Sequence, residues 1–131
     1  VLETKGITVL GYGTDEFPAF FTPQSGIPVA HRADTPEQVA SILKAKWGLG
    51  LKGGVLVANP VPAEFGFDAS AATDKALADA ARQGIEGKTL TPFLLKHIAE
   101  ATGGQSLAAN MALVKHNARI GAQIAVAHAA S

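Results

Sequence analysis

Gly53-Gly54-Val55-Leu56-Val57-Ala58-Asn59-Pro60-Val61-Pro62 turns at a glycine pair, runs apolar for four residues and stops at spaced prolines. The apolar run lacks polar alternation, so it reads as a short strand covered on both faces. Proline cannot continue a central ladder, and the segment Asn59 to Pro62 therefore ends the strand. A helix precedes it, with Thr35 as N-cap, Pro36 at the first helical position and Gln38 three residues after the cap. The expected buried face of that helix is Val39, Ile42, Leu43 and Trp47. Further upstream, Ile7 to Leu10 is a β-branched, glycine-bounded strand candidate, and Ile27 to Arg32 is a second, with Pro28 at a strand start or sheet edge.

Downstream the pattern turns helical. Glu64 to Ser70 reads as a loop, and Ala71 to Gln83 as an alanine-rich helix stopped by Gly84. Thr91-Pro92 repeats the cap-then-proline start for a helix carrying Phe93, Leu94, Leu95 and Ile98, which ends at Gly103-Gly104. Ser106 is the expected cap of a last helix running to about Ala129. Its apolar residues cover more than half its circumference, and Lys115, Arg119 and Gln123 share a narrow polar strip. Such a helix packs inside a larger domain or against another subunit. Strands alternating with helices predict an α/β fold, layered α/β/α with a mixed sheet, as one domain over residues 1–131. Val1 to Thr4 followed by Lys5-Gly6 reads as the last turn of a helix, and the sequence does not open on Met. The sheet is accordingly expected to be incomplete, the chain being the C-terminal part of something longer.

Composition excludes several classes. The 131 residues carry 11 basic and 11 acidic side chains, a formal net charge of zero, which removes the usual electrostatic case for nucleic acid or a membrane surface as partner. Cysteine is absent, so disulfides, thiolate metal sites and cysteine nucleophiles are ruled out, as is compatible with a reducing cytoplasm. No apolar run approaches the roughly 18 residues that span a bilayer.

Motifs sharpen the reading by elimination. Gly48-Leu49-Gly50-Leu51-Lys52-Gly53 matches a dinucleotide fingerprint in letters only, because a helix precedes it and a strand follows, the reverse of what phosphate binding requires. His31, His97, His116 and His128 show no metal-ligand spacing, and no serine sits in a nucleophile elbow. Gly11-Tyr12-Gly13-Thr14-Asp15-Glu16-Phe17-Pro18-Ala19-Phe20-Phe21 sets two carboxylates beside three of the six phenylalanines, a composition suited to a packed loop at a cleft or subunit contact. Adjacent residues on an extended segment face opposite ways, so Asp15 and Glu16 do not act as a pair on one atom; one capping a turn and the other in an ion pair is the plainer reading. Asn110 lies among Leu107, Ala109, Met111 and Val114, with Asn117 two turns on along the same face. An amide there needs both donor and acceptor matched, by backbone or by a ligand edge such as a uracil imide.

Five blocks carry a family resemblance: Val1-Leu2-Glu3-Thr4, Gly11 to Phe20, Ala58-Asn59-Pro60-Val61-Pro62, Gly87-Lys88 with Thr91-Pro92-Phe93-Leu94-Leu95, and Ser106-Leu107-Ala108-Ala109-Asn110-Met111-Ala112-Leu113-Val114. In that order and over nearly the whole chain, they resemble the pseudouridine-5'-phosphate glycosidase family, also called the indigoidine synthase A family. The resemblance implies reversible cleavage of the C–C glycosidic bond between uracil and ribose 5-phosphate. It implies a lysine that forms an imine with the opened sugar, a proton-moving glutamate, and an aspartate holding a divalent metal such as Mn2+ through waters. Those three match no residue of this chain, so no catalytic or metal-ligating residue is expected in it. Asn110 is the matching position that faces substrate, and Asp15, Glu16, Phe17, Asn59 and Asn117 are further candidates for the site or an interface. His116, where a second asparagine is usual, and His31, where an aromatic is common, depart from the pattern; neither is expected to touch the chemistry. A nucleotide substrate, a homotrimer and a cytoplasmic location are implied as well. The alternative is a regulatory or assembly domain that keeps the fold without the chemistry.

Overall fold

The computed structural model describes residues 2–131. Val1, part of the expected opening helical turn, lies outside the described residues; the turn itself is a short 3-10 segment, Glu3–Lys5. Strand β1 (Thr8–Tyr12) occupies the middle of a three-stranded sheet. Strand β2 (His31–Ala33) pairs on one side of it and β3 (Val55–Ala58) on the other, giving the order β2-β1-β3. Both pairings are parallel, with Leu10 opposite His31 and Val57, and Gly11 opposite Arg32 and Ala58. The expected mixed sheet is thus parallel in its three strands. Its antiparallel component is an isolated bridge between Glu16 and Pro28, which takes the first half of the expected Ile27–Arg32 strand out of the sheet.

Helix α1 (Pro36–Gly48) starts where local chemistry predicts: Thr35 is extended, and its side chain accepts from the Gln38 N–H at 3.2 Å. The Gln38 side chain in turn accepts from the Asp34 N–H at 2.6 Å. Its inner stripe is Val39, Ile42, Leu43 and Lys46. Trp47, expected inside, is 46% exposed, whereas Lys46 is 9% exposed. The reason is periodicity: position 46 falls two turns after Val39, and Trp47 is displaced by a further ~100°. A lysine can occupy such a position because its methylene stem lies along an apolar stripe at little cost. The expected two-sided cover of β3 is also incomplete, since Leu56 is 41% exposed.

Helices α2 (Ser70–Arg82), α3 (Leu90–Ala101) and α4 (Gln105–Ala130) follow, with 3-10 turns at Ala63–Phe65 and Gly87–Thr89. Two expected caps move. Thr91 lies inside α3, because the turn at Gly87–Thr89 feeds the helix directly and Thr89 occupies the cap position. Pro92 remains tolerable in the first turn, where backbone N–H groups have no helical partner. Ser106 lies inside α4 and is buried; Gly104, in the left-handed conformation at φ 86°, takes the cap position.

Apolar residues gather in two clusters. One, built on Leu10, Ala33 and Val39, seals the sheet against α1 and includes Ile124 of α4. The other, built on Phe21, Val61, Ala69, Ala76, Ile98 and Ala109, joins α2, α3 and the first half of α4 and includes Leu113. Helix α4 therefore ties the clusters together, and the stretch between Leu113 and Ile124 bridges them.

Candidate functional site

Three parallel strands present their carboxyl ends along one edge. At the end of β1, Gly11 is fixed by space: a Cβ there would stand 2.4 Å from the Thr14 carbonyl oxygen and 2.8 Å from Val29 Cγ2. This close approach folds Gly13 to Asp15 back over the edge, and the Gly13 N–H donates to the Ala33 carbonyl at 2.8 Å. Thr14 Oγ1 accepts from the Glu16 N–H at 3.2 Å and donates to the Glu16 carbonyl at 3.1 Å.

The two carboxylates part company here. Asp15 Oδ2 meets Arg32 at 2.7 Å, and the same guanidinium reaches Asp34 at 2.8 Å. These groups are exposed, and the pairing keeps the guanidinium protonated, Asp34 contributing most and Asp15 next. Glu16 Oε2 accepts from the Gly26 N–H at 2.9 Å and the Ser25 N–H at 3.0 Å. Those two donors hold its carboxyl below the usual range, Gly26 more than Ser25. Nearby, burial raises the Tyr12 hydroxyl, with smaller contributions from Glu37 and Asp34.

The aromatic loop is divided between two places. Phe17 lines a cavity of about 330 Å3 with Leu2, Val9, Ile27 and Pro28. Phe21 is buried, packs edge-on against Phe20 at 4.7 Å and lies 5.3 Å from Phe67. Phe20 and Phe21 then line a separate, largely apolar cavity of about 430 Å3 against Leu94, Leu95 and Ile98.

A tighter polar group forms where β3 ends. Asn59 follows Ala58 directly, and the proline after it restricts its backbone to extended conformations. Its Nδ2 donates to Asn117 Oδ1 at 2.8 Å and lies 3.2 Å from His116 Nδ1. Its Oδ1 is shut away from solvent with no hydrogen-bond partner among the described residues. A buried acceptor without a donor costs about 1–3 kcal/mol, so this end of the amide is the chemically unfinished point of the edge. Asn110, half-buried on α4, lies one further step of two turns, ~10 Å, towards the helix N-terminus on the same face as Asn117. The structure thus joins two of the sequence candidates, Asn59 and Asn117, and sets Asp15, Glu16 and Phe17 in their own ion pair, turn and cavity. His116, expected to stand apart, is in contact with Asn59. Its neighbour Asn117 and the strand-end Asn59 were the available signals, Asn59 lying 57 residues from His116 and 58 from Asn117 in sequence.

Among the described residues no group of three His, Asp or Glu could hold a metal ion. The divalent cation implied by the family resemblance therefore finds no fitting donor set among the described residues.

Together the fold and this edge define an α/β protein with a polar cluster at the carboxyl ends of parallel strands, the usual ligand position in open sheets. The family described as indigoidine synthase A like protein matches residues 1–127, and the chain belongs to that family. It is 57% identical over 128 residues to a pseudouridine-5'-phosphate glycosidase of Lysinibacillus sphaericus, covering 95% of this chain and 42% of that protein. The corresponding enzyme of Caldanaerobacter subterraneus is 52% identical over the same shares of each. Among solved structures, the prealnumycin C-glycosynthase AlnA in complex with ribulose 5-phosphate superposes with a TM-score of 0.85 at 33% identity, covering 98% of this chain and 43% of that one. An indigoidine synthase A-like protein of Thermotoga maritima gives 0.78 at 36% identity, over 95% and 42%. The chain thus spans about 42% of the length of the curated relatives it matches.

Proposed function

We propose that the full-length protein containing this chain cleaves the C–C glycosidic bond of pseudouridine 5'-phosphate, reversibly, to uracil and ribose 5-phosphate. The observation that carries the reading is the 57% identity to a glycosidase of that name, against 33% to the C-glycosynthase. The glycosynthase structure adds support, because it holds a phosphorylated sugar on the same fold.

Breaking a bond to carbon requires a covalent electron sink and delivery of a proton to the departing carbon. By the family resemblance, a lysine imine and a glutamate outside these 131 residues supply both. This chain contributes the wall that recognises the base: Asn110 offers a donor and an acceptor to the alternating edge of uracil. A divalent cation, Mn2+ by the same resemblance, belongs to the part of the enzyme that this chain does not match. The homotrimer is part of the proposal, supported by the exposed apolar stripe Leu107, Met111 and Val114 on α4. A cytoplasmic location is part of it too; no helix among the described residues is long and apolar enough to cross a membrane.

The test is to incubate the full-length enzyme with pseudouridine 5'-phosphate and Mn2+ and to measure uracil and ribose 5-phosphate. Stoichiometric appearance of both is expected. No uracil, with the substrate recovered intact, returns the protein to the assembly reading.

A further inference from the structure

We propose that Asn59 is a specificity residue of this site, its Oδ1 accepting a hydrogen bond from an N–H or O–H donor of the substrate while Asn117 and His116 fix the amide. The inference deepens the glycosidase reading and rests on it.

Topology locates the ligand first. The chain leaves β1 for β2 on one side, then returns through α1 past β1 to β3 on the other. Strands β2 and β3 thus flank β1 on opposite sides, and in open parallel sheets ligands bind outside the carboxyl ends of the strands. Asn59 is the first residue beyond β3, and in the β1–β3 register Ala58 stands opposite Gly11. Asn59 therefore stands at the carboxyl end of the sheet, level with the β1 turn that Gly11 makes possible.

Local chemistry then gives the amide a direction. Its nitrogen is committed to Asn117 at 2.8 Å, with His116 Nδ1 at 3.2 Å. Those partners stand on the α4 stretch that bridges the two apolar clusters, so their positions are set by packing on both sides. Pro60 restrains the backbone beneath. What remains is a fixed carbonyl oxygen without a donor among the described residues. An acceptor of that kind discriminates strongly, because a ligand lacking the matching hydrogen leaves it unpaired.

The experiment uses the full-length enzyme and four substrates: pseudouridine 5'-phosphate, its N1-methyl and N3-methyl derivatives, and its 2'-deoxy derivative. The methyl arms remove base N–H donors, and the deoxy arm removes a ribose O–H. Unmodified enzyme is expected to lose roughly a hundredfold or more in kcat/KM on the analogue that lacks the donor read by Asn59. Asn59→Leu is expected to lose a comparable factor on the parent substrate and to handle parent and that analogue alike. Asn59→Asp, which keeps the acceptor and the size, is expected to retain the discrimination. Asn117→Ala is expected to weaken it, and Asn59→Leu combined with Asn117→Ala to be no worse than Asn59→Leu alone. Thermal unfolding of each variant accompanies the kinetics; if Asn59→Leu does not fold, Asn59→Asp and Asn117→Ala decide. Equal losses on all four substrates in the Asn59 variants mean a structural role and overturn the assignment while leaving the glycosidase reading intact. No cleavage of any substrate by unmodified enzyme overturns both.

Discussion

Gly11 is the residue at which backbone geometry matters most to the site. A methyl group there would sit 2.4 Å from a backbone oxygen, a contact that a side-chain rotation cannot relieve. Gly11→Ala in the full-length enzyme is expected to cost about 3 kcal/mol, read from the denaturant midpoint, because the turn carrying Thr14 and Asp15 must move. A change within ~0.5 kcal/mol would show that the turn yields freely. Glu16 offers a pH test of the neighbouring turn. The Gly26 and Ser25 N–H groups depress its folded-state pKa, so as pH falls the unfolded chain takes up the proton first. Its contribution to stability is complete above the ordinary glutamate range and fades as pH drops through the lowered folded value. The stability gap between unmodified protein and Glu16→Gln should therefore narrow as pH falls through and below the ordinary glutamate value of about 4.3. A gap that stays constant over that range would show that the carboxylate charge is immaterial to the turn. At Asn110, half-buried on α4, removal of the amide is expected to weaken binding or turnover of pseudouridine 5'-phosphate by about 1–3 kcal/mol, through an unpaired uracil edge. Unchanged kinetics for Asn110→Ala would return that residue to a packing role.

Helix starts separate what local sequence can tell from what it cannot. At α1, the cap, the proline and the returning glutamine are all within four residues, and Thr35 caps as expected. At α3 the same Thr-Pro letters fit two frames, and the turn at Gly87–Thr89 moves the start to Leu90. The two threonines therefore make a matched pair. Thr35→Ala is expected to cost about 1 kcal/mol, the usual value of a lost cap, whereas exposed Thr91→Ala should stay within about 0.5 kcal/mol. Equal losses at both would restore Thr91 as a cap in solution. The α/β alternation, the strand at Val55–Ala58 and the α1 stripe were legible because strand and helix periods are local properties. Placing Trp47 inside failed, because one residue of helical phase separates the core from the rim, and Lys46 fills the inner position. The polar cluster was legible only in part. Asn59 and Asn117 were visible as candidates, but their mutual bond and the role of His116 depend on α4 crossing the carboxyl end of β3, which no nearby residue specifies.

On the scale of the molecule, the described residues form two apolar clusters, a parallel three-stranded sheet and substantial uncovered apolar surface. Leu49 is 78% exposed, Leu51 56% and Leu56 41%, all around the entry to β3. The likeness to a solved C-glycosynthase, at 33% identity and a TM-score of 0.85, covers 43% of that chain. The proposed cleavage of a carbon–carbon glycosidic bond through an imine needs a lysine beside the substrate, and the polar cluster at the end of β3 is made of Asn59, His116 and Asn117. Lys115, exposed on α4, lines a cavity of about 420 Å3 together with His116, Phe65 and Met111, and the hydrogen bonds of the Asn59 amide go to His116 and Asn117. Because the family resemblance puts the imine lysine outside these residues, the 131-residue chain by itself is expected to release no uracil from pseudouridine 5'-phosphate with Mn2+ present. Borohydride reduction during turnover should trap a sugar adduct on the full-length enzyme, and peptide mapping should place it on a lysine outside these residues. Uracil released by the isolated chain, or an adduct mapped to one of its own lysines, would show that the covalent step belongs to this part of the protein.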